Sequence, residues 1–144
     1  MDSNIILLAQ AVIIKDNKVL LQKRQNTGYC DGMYCLPGGH VESGETQIEA
    51  LIRELNEELN LYEISSSNFD VFKIIERTST NKNLHYIDFI FKNIRPIDFE
   101  QIINNEPNKC EKLEWFELDE LPCDMIPYQR MVLSGNETYY NTMI

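Results

Sequence analysis

The chain has little positive charge. Its 144 residues carry 13 Lys and Arg against 23 Asp and Glu, a formal net charge of −10. Such a surface excludes stable nucleic-acid binding through a basic patch. Cysteine is sparse as well. Cys30, Cys35, Cys110 and Cys123 form no CxxC pair, and no histidine lies close enough in sequence to complete a zinc knuckle. They read as reduced thiols of a cytoplasmic protein. No long apolar run is present. Ile5 to Ile14 is too short to span a bilayer, is interrupted by Gln10, and lacks the basic start and small-residue cleavage site of a signal peptide. A buried β-strand is the better reading, and no membrane partner is expected. Repeats, low-complexity tracts and linkers are missing too. The length suits one core, so residues 1–144 are expected to form a single domain.

What is present is concentrated between Gly39 and Leu61, GHVESGETQIEALIRELNEELNL. Glu54, Glu57 and Glu58 stand at i, i+3 and i+4. A helix advances about 100° per residue, so the three carboxylates share an arc of roughly 100°. Like charges at that density repel unless a cation sits between them. The natural partner is a hard divalent ion with oxygen ligands, Mg²⁺ first and Mn²⁺ second. Ile48, Leu51, Ile52, Leu55 and Leu59 form an apolar stripe at helical period. One face therefore anchors the helix while another presents carboxylates. Thr46 and Glu49 make a capping box, which starts the helix near Gln47. Asn60 suits the left-handed residue that ends it. Ahead of the helix, Pro37-Gly38-Gly39 and Ser43-Gly44 let backbone amides or carbonyls approach a ligand closely.

This spacing resembles the signature of the Nudix hydrolases, a MutT-like pattern: Gly, five residues, Glu, seven residues, Arg-Glu-aliphatic, one residue, Glu-Glu, one residue, Gly, aliphatic. Gly39, Glu45, Arg53-Glu54-Leu55, Glu57-Glu58 and Leu61 occupy these positions, and Asn60 replaces the last glycine. So many fixed positions make the match specific. NTGYCDGMYCLPGGHVE before it and NNEPNKCEKLEWFELDELP after it look like the nucleoside-triphosphate diphosphatase branch. The resemblance implies an α/β/α sandwich with a mixed β-sheet. It also implies Mg²⁺-dependent hydrolysis of a nucleoside diphosphate linked to another group. The favoured substrate is a nucleoside or deoxynucleoside triphosphate, cut to monophosphate and pyrophosphate. ADP-ribose or another sugar nucleotide is the next candidate. A non-catalytic nucleotide-sensing module is the alternative from another class, but such modules usually lack part of the glutamate set. RNA decapping finds no arginine-rich segment to support it. A homodimer is compatible with the resemblance.

Cutting a phosphoanhydride requires neutralised phosphate charge and an activated water, both of which carboxylate-held metal supplies. Glu57 and Glu58 are the first candidates as ligands. Glu54 is a ligand or the base, and coupled carboxylates leave that choice open. The resemblance adds the Gly38 carbonyl as a ligand and brings Glu106 towards the metals from another loop. An ordinary exposed acid is the alternative reading of Glu106. Arg53 and Glu45 are expected to pair and brace the loop against the helix. Lys23 and Arg24 end a strand and could meet phosphates, or be plain polar residues at a strand end. Tyr34 and Trp115 could stack on a base, with a packing role favoured for Trp115. By resemblance alone, Ile126 and Tyr128 flank the base. His85 either faces the cleft or packs. Strands are expected over 5–15 and 18–24, joined at Asp16-Asn17, and at 33–37, 69–77, 84–92 and 112–117. The 69–77 and 84–92 strands should pair as a hairpin. Residues 127–140 look helical, and 97–104 form a short helix or loop.

Overall fold

The computed structural model describes residues 4–144; residues 1–3 of the expected domain lie outside the described residues. Among the described residues nine strands and two α-helices follow one another: β1 (Asn4–Val12), β2 (Ile14–Lys15), β3 (Lys18–Arg24), β4 (Tyr34–Cys35), β5 (Gly38–His40), α1 (Gln47–Leu59), β6 (Phe69–Ser79), β7 (Leu84–Asn93), β8 (Cys110–Glu117), α2 (Pro127–Ser134) and β9 (Tyr139–Met143). They form a five-stranded mixed sheet in the order β5-β1-β7-β6-β9 and a four-stranded sheet in which β3 is flanked by β4 and β8 and extended by β2. The β1–β7 and β6–β9 pairs are parallel; the others are antiparallel. This is the α/β/α sandwich with a mixed β-sheet expected above, with α1 on one face and α2 on the other.

The long first strand is divided. Its polypeptide leaves the larger sheet after Val12 and enters the smaller one at Ile14. The Asn93 side chain bridges the change, accepting from the Ile14 amide at 2.8 Å and donating to its carbonyl at 3.1 Å. Asp16 and Asn17 both have positive φ, 50° and 64°, as a two-residue hairpin turn requires. Period-two burial then sorts the side chains. Ala9, Ala11, Ile13 and Phe91 meet Leu51, Leu55 and Leu59 of α1. Val12, Leu21, Ile75 and Ile90 meet Met125 and Val132 on the α2 side.

Helix α1 begins at Gln47 with both bonds of the Thr46–Glu49 capping box in place. It ends at Asn60, whose φ of 61° and ψ of 28° are left-handed. The β6–β7 hairpin is longer than expected by two residues on β6 and one on β7, and a bulge lies between Val71 and Lys73. Two expectations need correction. Within 33–37 only Tyr34–Cys35 is strand, β4; the chain breaks at Leu36-Pro37 and then enters β5 in the other sheet. The helix expected over 127–140 stops at Ser134, and Tyr139–Met143 is an edge strand beside β6. The buried Lys73 ammonium explains the break: it bonds to the Gly135 and Glu137 carbonyls, which a continuing helix would have used itself. The Tyr-Tyr-Asn-Thr run then has strand-like character. Of residues 97–104, only Phe99–Gln101 form a 3₁₀ turn.

The left-handed end of α1 yields a test. Asn60→Gly should change stability by less than about 0.5 kcal/mol, whereas β-branched Asn60→Val should cost about 1–2 kcal/mol. Urea midpoints compare them, and matching midpoints would rule out a left-handed residue there.

Candidate active site

Strand β5 supplies one wall. The Ala11 amide donates to the Pro37 carbonyl at 2.9 Å, and Gln10 lies opposite Gly38. Gln10 and Gly38 are thus a pair without mutual hydrogen bonds, so the N–H and C=O of Gly38 both turn away from β1. The N–H donates to Glu58 Oε2 at 3.0 Å. His40 repeats the pattern two residues on, its carbonyl accepting from Arg53 Nη2 at 3.0 Å. The outer edge of β5 therefore faces α1 with free backbone groups, and the Gly38 carbonyl lies along that edge.

Helix α1 supplies the carboxylates. Glu58 projects about 20° from Leu51 on the helical wheel, at the border of the apolar stripe, so it tucks inward. Gln22 Nε2 donates to its Oε2 at 2.7 Å. Burial pushes the Glu58 carboxyl up to about 8, with Glu54 and Glu106 adding to the rise while Gln22 and the Gly38 amide oppose it. Glu54 stands over Gly39. A Cβ at position 39 would come within 2.6 Å of Glu54 Oε1, so any other residue there would push the Glu54 carboxylate from its place. Burial also raises Glu54, against the pull of Arg53. The Glu57 side chain is 50% exposed and lies 3.6 Å from Arg53 Nη1.

Arg53 is the shared counter-charge. Its Nε and Nη2 grip Glu45 at 2.7 and 2.9 Å, and Nη1 donates to Glu54 at 2.9 Å. The Arg53 hydrogen bond holds the Glu45 carboxyl down at about 2. Glu45 in turn accepts from the Glu42 amide at 2.9 Å. The loop from β5 is thus strapped to the helix by side-chain bonds at both ends.

A second loop closes the far end. The Asn105 amide donates to the Glu58 carbonyl and its side chain to the Glu57 carbonyl, each at 3.0 Å, which satisfies acceptors that a helix end leaves open. This places Glu106 close enough for its charge to act on Glu58. No sequence pattern marks Asn105 or Gln22 for these roles, because both act across long stretches of chain.

Other candidates are engaged elsewhere. Arg24 donates to the Tyr29 carbonyl at 2.7 Å, Thr27 Oγ1 at 3.0 Å and Cys35 Sγ at 3.8 Å, holding its own loop. Lys23 pairs with Glu111 at 3.4 Å. Tyr34 is buried, edge-on to Phe116 at 4.9 Å, and donates to Glu114 at 3.1 Å. Trp115 packs edge-on to Phe99. His85 pairs with Glu76 of the neighbouring strand. Ile126 is buried, and Tyr128 lies against Arg77.

The donor set of Glu54, Glu57, Glu58 and the Gly38 carbonyl is entirely hard oxygen and fits Mg²⁺ or Mn²⁺ chemically. Among the described residues, no three His, Cys, Asp or Glu side chains already converge as a metal cage. The half-exposed Glu57 and the Arg53 guanidinium seated between Glu54 and Glu57 account for this. The carboxylate crowding around the buried Glu58 is what a divalent ion would relieve.

A NUDIX-domain family model matches residues 7–134. A protein of Methanocaldococcus jannaschii named ADP-ribose pyrophosphatase is 32% identical over 124 residues, which cover 84% of this chain and 67% of that protein. The Escherichia coli CTP pyrophosphohydrolase is 41% identical over 56 residues, 39% of this chain and 42% of its own length. The crystal structure of a MutT NUDIX hydrolase from Burkholderia pseudomallei superposes with a TM-score of 0.75 at 25% identity, covering 90% of this chain and 96% of that one.

The cost of holding Glu58 gives a test in chelator. Glu58→Gln keeps an acceptor for Gln22 and Gly38 but removes the charge. Its melting temperature should rise by a few degrees, about 1–2 kcal/mol. A lower melting temperature would contradict a carboxylate held at electrostatic cost.

Proposed function

The chain belongs to the NUDIX family of pyrophosphohydrolases, and from that premise we propose that it cleaves a nucleoside or deoxynucleoside triphosphate to monophosphate and pyrophosphate with Mg²⁺. Enzymes of this family require a divalent metal and act on small nucleotides. The observation that carries the reading is the β5 edge: Gly38 donates to Glu58, Gly39 leaves room for Glu54, and Arg53 locks the intervening loop to the helix. Backbone groups and carboxylates then line one strip suited to a metal-bound polyphosphate.

In this mechanism Glu57 and Glu58 would hold the metal, joined by Glu54 and the Gly38 carbonyl. Bound metal supplies neutralisation of phosphate charge and a more acidic water. Gln22 orients Glu58, and the Glu45–Arg53 fork orients Glu54 and fixes the loop. The water oxygen forms a new P–O bond at one phosphorus of the anhydride as the bridging P–O bond breaks, giving monophosphate and pyrophosphate. The water's proton passes to this carboxylate set, which titrates as a coupled group. Glu106, docked by Asn105, adds negative charge at the same end of α1 and is proposed as a further metal ligand.

ADP-ribose is a second reading, favoured by the extended similarity to the archaeal protein of that name. Its cleavage would give AMP and ribose 5-phosphate. Among the described residues, no helix is long and apolar enough to cross a membrane.

A nucleotide panel with Mg²⁺, analysed for pyrophosphate, phosphate and AMP, separates the two substrates. Glu57→Gln should lower kcat by about 100-fold or more while circular dichroism stays unchanged. Wild-type turnover in that variant would remove Glu57 from the mechanism.

A further inference from the structure

The face of the large sheet opposite α1 carries a polar group that hydrolysis does not use. Asp88 is fully buried on β7, and Arg77, Gln10 and Gln129 are nearly so. Arg77 binds Asp88 through Nε at 2.8 Å and Nη2 at 3.2 Å. Its guanidinium lies 4.0 Å from the centre of the Tyr128 ring and 4.5 Å from that of Tyr86. Both rings are only partly buried. Charge, fork and stacking are therefore satisfied within the group.

The hydrogen bonds beside this pair have one consistent direction. The Leu36 amide donates to Gln129 Oε1 at 2.7 Å, which fixes that carboxamide. Gln129 Nε2 then donates to the Tyr128 hydroxyl oxygen at 3.3 Å. Gln10 Nε2 donates to the same oxygen at 3.4 Å. The Tyr128 hydroxyl also acts on Asp88, easing the rise that burial gives its carboxyl. The bond to Tyr128 turns the Nε2 end of the Gln10 carboxamide to the hydroxyl and its Oε1 end away. One acceptor is left over. Among the described residues, Gln10 Oε1 is the only buried side-chain nitrogen or oxygen without a hydrogen-bond partner.

Buried polar atoms of folded proteins find partners, so an orphan calls for a donor from outside the chain. Its place in the fold says which. Gln10 lies directly across from Gly38, one strand spacing from the backbone edge that meets Glu58. A nucleotide with its phosphates on that edge brings its nucleoside towards β1. We propose that the Gln10 side-chain carbonyl reads the nucleobase, accepting an N–H from an exocyclic amino group and so selecting an amino base of the adenine or cytosine kind over its oxo counterpart. An oxo base would set one acceptor against another, and a site built around a hydrogen bond rejects the analogue that cannot make it. The proposal rests on the pyrophosphohydrolase reading for the position of the phosphates.

Binding without turnover tests it. Calorimetry on the full chain compares CMP with UMP and AMP with IMP. The amino member of at least one pair should bind tenfold tighter or better, and the pair that discriminates identifies the base. Gln10→Met, which keeps the volume and loses the carbonyl, should bring that ratio within about threefold. Tyr128→Phe removes the hydroxyl that pins the carboxamide and should also lower the ratio, by letting Gln10 present either end. Three results would overturn the assignment: equal binding within both pairs, no binding of any of the four, or an unchanged ratio in folded Gln10→Met. A nucleotide complex in which an internal water alone occupies Oε1 would do the same. Metal-dependent hydrolysis without amino preference rejects this inference only. Amino preference without hydrolysis of any pyrophosphate bond rejects the parent reading and leaves Gln10 as a base-binding residue.

Discussion

The site depends on a single guanidinium. Arg53 ties Glu45, Glu54 and the His40 carbonyl together with four hydrogen bonds, and its Nη1 also reaches towards Glu57. Remove that centre and the loop after β5 loses its attachment while the helix carboxylates face one another without a counter-charge. A lysine could not replace it, since an ammonium offers no planar fork for a bidentate carboxylate. Glycine at position 39 belongs to the same constraint, because the strap draws β5 so close that Glu54 occupies the space of a side chain.

The change of sheet at Ile13 sets the position of everything else. By passing from the larger sheet to the smaller one, the chain puts β3 next to α1, and Gln22 of β3 then reaches Glu58. The Asn93 side chain makes the change feasible by satisfying the Ile14 backbone where no ladder exists. The active helix thus touches both sheets, the larger through its apolar stripe and β5, the smaller through a carboxylate.

What could be read in the sequence was local. The capping box, the apolar stripe, the left-handed Asn60 and the spacing of Glu54, Glu57 and Glu58 all lie within one helix and its caps, where period and chemistry determine position. The Glu45–Arg53 pair was legible because eight residues of loop and helix join the partners. Gln22, Asn105 and the Arg77–Asp88 pair were not, since each meets its partner through sheet register or a loop return that no short pattern encodes. Strand β9 was lost for a related reason. Helical character at Met131-Val132 carried the reading past Gly135, while the true stop depends on Lys73, far away on β6. Likewise Arg24 had the right residue type for phosphate, but its donors serve its own loop.

The acidity of the chain bears on how the site works. Glu42, Glu45, Glu54 and Glu57 gather around one arginine, and the charges of Glu54 and Glu106 act on the buried Glu58, so the local charge of the candidate site is negative. At physiological salt, charges beyond about 8 Å are largely screened; the remaining surface acids matter little, and the local set decides. A divalent cation reverses the sign of that local field, so affinity for cation and affinity for polyphosphate must rise together. Linkage makes the coupling reciprocal. The same condition explains why Glu58 is kept under strain. A carboxyl raised by burial to about 8 holds its proton more readily than an ordinary glutamate, so any cation bound there would have to displace that proton.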